Sequence, residues 1–168
     1  MLADGSERSM QTIDYVNDFI PADKNLRIVL FHVFKGLPKE YETVLKAQNC
    51  ANELQQLKDW EAGQEKKIQA SLEQMKNKLI AGGFPEHQIE IKLHPLKDGV
   101  ARDIINEARN GYGAVVLRRR GMGALKSIIL GSIAVELLQT LTFVPILIVG
   151  KPLRSRRCCW PWTGLCLR

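Results

Sequence analysis

The sequence predicts an α/β protein with an open parallel sheet and helices on both of its faces. Short apolar runs alternate with amphipathic stretches along the chain. The runs are dense in Val, Ile and Phe, as strands buried on two sides are. The order helix, strand, repeated four times, implies βαβ units with right-handed crossovers. At 168 residues the chain has room for one domain around one core.

The first helix is read from Met10, Ile13, Val16 and Ile20, which share a face, with Ser6 as N-cap and Pro21 as stop. Residues 26–34, LRIVLFHVF, are a strand. Residues 39–62 have helical propensity but weak periodicity, and read as a helical or mobile insertion. Ile68, Leu72, Met75 and Leu79 mark the second helix, which Gly82 and Gly83 end. Ile89, Ile91 and Leu93 alternate as a strand does, Val100, Ile104, Ile105 and Ala108 form a third helical stripe, and residues 114–117 give another strand. Val135, Leu138 and Leu141 mark the fourth helix, and residues 145–149, PILIV, close the pattern. A sheet of this type places a strand before its first helix, yet only Met1, Leu2 and Ala3 precede Asp4. The expectation is a fragment or a misassigned start, or a rudimentary first strand at residues 1–3.

The composition narrows the class. The chain carries 24 Lys+Arg against 18 Asp+Glu, a net charge of +6. Arg154, Arg156, Arg157 and Arg168 lie in the acid-free segment 153–168, and without them the balance is 20 against 18. A basic nucleic-acid face is therefore not expected on the domain, nor is an aromatic stacking platform seen. Cys158, Cys159 and Cys166 share that segment, leaving Cys50 alone in the rest, so no disulfide framework is expected. Residues 1–152 are read as the domain and 153–168 as a disordered basic tail. No run approaches 18 apolar residues and no basic leader opens the chain, which predicts a cytoplasmic protein without a membrane span.

The chemistry is expected in residues 118–132, RRRGMGALKSIILGS, between a buried strand and the fourth helix. Gly121 and Gly123 permit a tight turn, and Gly131 and Ser132 stand where a helix start offers N–H groups and a hydroxyl. Arg118, Arg119, Arg120 and Lys126 favour an anion. Neither GK[ST] nor GxGxxG is present, so the common nucleotide motifs fail.

The spacing Gly121, nine residues, Gly131, Ser132, followed by a helix and FVPILIVGKP, resembles the universal stress protein family. The start ADGSERSMQTIDYV is similar to that family's first strand end, aspartate and first helix, and the strand ending His32-Val33 is similar to its second strand. The resemblance covers residues 2–152. It implies a five-stranded parallel sheet in the order 3-2-1-4-5, with the first strand truncated here, and ATP, with or without Mg²⁺, at the carboxyl ends of strands 1 and 4. Matched residue by residue, it implies that Asp4 lies near the adenosine, that Val33 packs on the base, and that Gly121, Gly131 and Ser132 hold phosphate and ribose. The family's first motif glycine falls at Arg118, whose side chain either fills ligand space or reaches a phosphate.

Two functions are expected in consequence. One is a dimeric, adenine-nucleotide-binding stress-response module with little or no hydrolysis, paired with a second copy through residues 145–149. The alternative is a nucleotide-independent dimeric interaction protein whose site Arg118 has closed. No acid, base or metal cluster singles out an enzyme. His32 is read as a core residue, and His87 and His94 as loop residues.

Overall fold

The computed structural model describes residues 1–2, 7–20, 25–47, 50–118 and 131–149. Ser6, Pro21, the Gly121–Gly123 turn and the tail lie outside the described residues, as do Asp4 and Arg119, Arg120 and Lys126. The elements follow in the order α1 (Glu7–Phe19), β1 (Ile28–Phe34), α2 (Lys39–Ala47), α3 (Ala51–Ala81), β2 (Ile89–Pro95), α4 (Val100–Ala108), β3 (Val115–Arg118), α5 (Ser132–Thr140) and β4 (Ile146–Val149).

Strand β1 organises the interior because its side chains alternate between two cores. Ile28 and Leu30 face α1 and α3, where they join Ile13, Val16, Leu72, Met75, Leu79, Phe84 and Ile89. Phe31 faces the other way and joins Ala101, Ile104, Ile105 and Ala108 of α4, Val115 and Leu117 of β3, and Leu137 of α5. Helices thus cover both faces, as the alternating pattern requires. Helix α3 is pinned to α1 by polar contacts: Asn17 donates to the Lys78 carbonyl at 3.2 Å, and Lys78 meets Asp14 at 2.6 Å. It ends at Gly82, and Gly83 follows with φ +102°, a conformation that favours glycine.

The strands are parallel. β1 pairs with β2 from Ile28↔Ile89 to Phe34↔Pro95, and β3 with β4 from Val115↔Ile146 to Arg118↔Val149. The described strands therefore make two two-stranded sheets, where the resemblance implies one sheet of five. Residues 1–2 lie between the two sheets, and residues 3–6 after them are outside the described residues. Leu2 makes one parallel bridge to Phe31, and Phe31 N–H donates to the Met1 carbonyl at 2.9 Å. The Met1 ammonium donates to the Val29 carbonyl and the Leu2 N–H to the Val116 carbonyl at 3.0 Å, so Met1 is bonded to β1 and Leu2 to β3.

Two sequence expectations change. Residues 39–62 form α2 and the start of one 31-residue helix, α3, with Leu37 N–H donating to Glu61 at 2.9 Å where the pair of helices leaves β1. On α5 the buried residue is Leu137, and Leu141 just beyond it is also buried, while Val135 and Leu138 are exposed. The segment SIAVELL is apolar on nearly every side, so its spacing did not single out the inward face.

Candidate functional site

A cavity of about 250 Å³ opens at the carboxyl ends of β1 and β3. Each wall follows from the local fold. The last turn of β1 brings Phe31, His32 and Val33, the end of β3 brings Leu117 and Arg118, and the first turns of α4 bring Val100 and Ile104. Gly131, Ile133, Ala134 and Leu137 come from the start of α5, Ser9 from α1, and Leu2 from the bridge between the sheets. The lining is mostly apolar with few polar groups, and none of its described residues is acidic. That composition suits a flat, uncharged ring system with an anionic end.

Arg118 ends β3, and its Nη2 donates to Gln11 Oε1 of α1 at 2.7 Å. Gly131 is the N-cap of α5, with extended backbone and no side-chain cap, so the first-turn N–H groups of that helix are presented without a capping side chain. Helix α4, which brings Val100 and Ile104, is anchored by its Asp103, 3% exposed. Its carboxylate accepts from Lys97 N–H at 2.8 Å and Asp98 N–H at 3.2 Å, tying the loop after β2 to the helix that carries Val100 and Ile104. Burial raises the Asp103 carboxyl, but those two N–H groups, with His94 and Lys97 nearby, outweigh it and hold the group below the ordinary aspartate value.

Of the residues expected from the sequence, Val33, Arg118 and Gly131 line the same hollow. Ser132 is exposed in the first turn of α5, beside Gly131. Asp4 and Gly121 lie outside the described residues. His32, expected in the core, is half-buried and lines the hollow. His94, expected in a loop, lies in β2 with its ring 5.8 Å from that of Phe31. Sequence reasoning passes over Phe31, Ile104 and Leu137, whose apolar side chains carry no signal separating a ligand wall from ordinary core. Gln11 was equally silent: an exposed glutamine on a helix has no motif. Among the described residues no three His, Cys, Asp or Glu side chains gather to hold a metal, and no helix is long and apolar enough to cross a membrane.

Two solved structures share this architecture. The hypothetical protein MJ0577 is 21% identical with a TM-score of 0.58, and the match covers 90% of this chain and 94% of that one. A universal stress protein in complex with cAMP is 17% identical with a TM-score of 0.54, at the same coverage of 90% and 94%. No curated protein matches the chain. The model of the universal stress protein family matches residues 1–150, nearly the whole of the described fold, and the chain belongs to that family.

Proposed function

We propose that this chain is a stress-response module that binds an adenine nucleotide in the hollow between β1, β3 and α5, with little or no hydrolysis, in the cytoplasm. The observation that carries the reading is the convergence of Val33, Arg118 and Gly131 on one mostly apolar hollow at the carboxyl rim of parallel strands. Phe31, Val33 and Ile104 would pack against the base, and Arg118 with the first turn of α5 would meet the phosphate end, near Ser132 and the expected positions of Asp4 and Gly121. The cavity lies at the small end of ligand pockets, which run from about 300 Å³ upward. It suits the adenosine end of ATP, with further phosphates and any Mg²⁺ directed outward. The cAMP held by one relative supports an adenine ligand here. The bonds of Met1 to β1 and of Leu2 to β3 support the order 3-2-1-4-5, with residues 1–2 standing as the first strand.

The same reading includes a homodimer through the last strand. β4 pairs with β3 on one side, and its Leu147 and Ile148 remain 43% and 41% exposed. Such an apolar edge suits pairing with a twin.

Calorimetric titration of the chain with ATP, AMP and cAMP tests the nucleotide reading, and light scattering of wild type and Ile148→Asp tests the dimer. Micromolar binding and a shift from dimer to monomer are expected. One observation favours the alternative of a nucleotide-independent interaction protein: Arg118 stands in the wall of the hollow where the motif has glycine. If wild type binds nothing and Arg118→Gly binds ATP, the closed-site reading replaces the first.

A further inference from the structure

The rim that holds the hollow is also where the chain leaves the sheet. β3 and β4 are parallel and in register as far as Arg118↔Val149, so Val149 stands beside a residue of the hollow's lining, one strand spacing of about 4.8 Å away. Residues 150–168 follow from that point and include Trp160, Pro161 and Trp162. Fully extended, the stretch from Val149 to Trp160 spans about 36 Å, at about 3.3 Å per residue, which is more than a cavity of this volume requires. The chemistry matches as well as the reach. Phe31, Val33, Ile104, Leu117 and Leu137 make the lining mostly apolar and suited to a flat ring system. An indole is a fused five- and six-membered ring, the outline of a purine, and it offers a large apolar surface. Pro161, between the two tryptophans, restricts the backbone and so reduces the entropy lost on docking.

We propose that the segment Trp160-Pro161-Trp162 docks an indole in the hollow and competes there with the base of the nucleotide. The inference concerns regulation of that site and rests on the nucleotide reading above for the competing ligand. Tethering on a short linker raises the effective concentration of the segment to about the millimolar range, so even a weak contact is populated. The apparent affinity for nucleotide is then the intrinsic affinity multiplied by the fraction of molecules whose hollow is open.

The test uses the full chain carrying Trp60→Phe, which leaves Trp160 and Trp162 as its only tryptophans. Trp60 is exposed, so the replacement leaves both cores intact. Without ligand, tryptophan emission is expected to be blue-shifted and shielded from acrylamide. Ala134→Leu, which fills the hollow, or saturating AMP should move it to that of exposed indole. In calorimetry, adding Trp160→Ser and Trp162→Ser should tighten AMP binding about tenfold, as it does when the segment fills the hollow in about nine-tenths of the molecules. Emission of exposed indole in the ligand-free chain, or emission that Ala134→Leu leaves unchanged, overturns the docking whatever the nucleotide does. AMP binding that the two serine replacements leave unchanged or weaken overturns the competition while the nucleotide reading stands. If no variant binds AMP, yet the emission is blue-shifted and Ala134→Leu reverses it, the nucleotide reading falls and the docking stands without it.

Discussion

The two faces of β1 are packed in different ways. Against α1 and α3 the strand meets Leu72, Met75, Leu79 and Phe84, large side chains that are all but fully buried, and Gly82 and Gly83 end α3 against that layer. Against α4 and α5 it meets Ala101 and Ala108 with fewer large residues, and the space left at the rim is the 250 Å³ hollow. One strand therefore serves both as the wall of a closed core and as the wall of a hollow. The difference comes with the size of the side chains opposite it.

The contrast can be broken most forcefully on the closed face. Leu79→Ala is expected to lower unfolding free energy by about 2–5 kcal/mol in denaturant titration, because a side chain so enclosed leaves a cavity that cannot collapse. Nucleotide affinity of the folded fraction should stay unchanged. On the open face the pattern should invert. Ala134→Leu adds bulk where the hollow has room, so stability should move by less than about 1 kcal/mol while nucleotide affinity in calorimetry falls about a hundredfold.

Asp103 sharpens the comparison through pH. Its folded-state acidity is greater than in the unfolded chain, so the native state binds fewer protons and the group stabilises the fold above the ordinary aspartate value of about 4. That stability is lost as pH falls below it. Asp103→Asn should cost about 1–2 kcal/mol at neutral pH, flatten the acid limb of a thermal-melt series, and loosen the wall formed by Val100 and Ile104. The smallest effect belongs to the exposed Lys76–Glu86 pair at 2.8 Å, where Lys76→Ala should change neither melting temperature nor affinity.

Much of this architecture was legible in the residues. The stripe Ile68, Leu72, Met75 and Leu79 has one apolar face and a sheet to lie on, and the structure buries the last three. Val33, Arg118 and Gly131 were singled out by the family resemblance, and the structure gathers the three on one hollow. The first half of α3 was not legible, because Leu54 and Leu57 are only half-buried and Trp60 is exposed, so no clear stripe is written into it. The inward face of α5 was hidden by apolar residues on both sides. His32 was misjudged because a polar residue inside an apolar run looks the same whether its side of the strand meets a helix or a hollow.

Among the described residues Met1 and Leu2 join the two sheets through three backbone bonds, Met1 to Val29 and Phe31 of β1 and Leu2 to Val116 of β3, while each sheet is laced along its own length. Among the described residues that junction is bonded more sparsely than either ladder, and Leu2 lines the hollow beside it. Amide protons of Leu2 and Phe31 should exchange with solvent sooner than those in the middle of the β1–β2 ladder. A bound nucleotide, touching both sides, would act as a clasp across that junction and slow them, so occupancy can be read from the timing of two backbone positions.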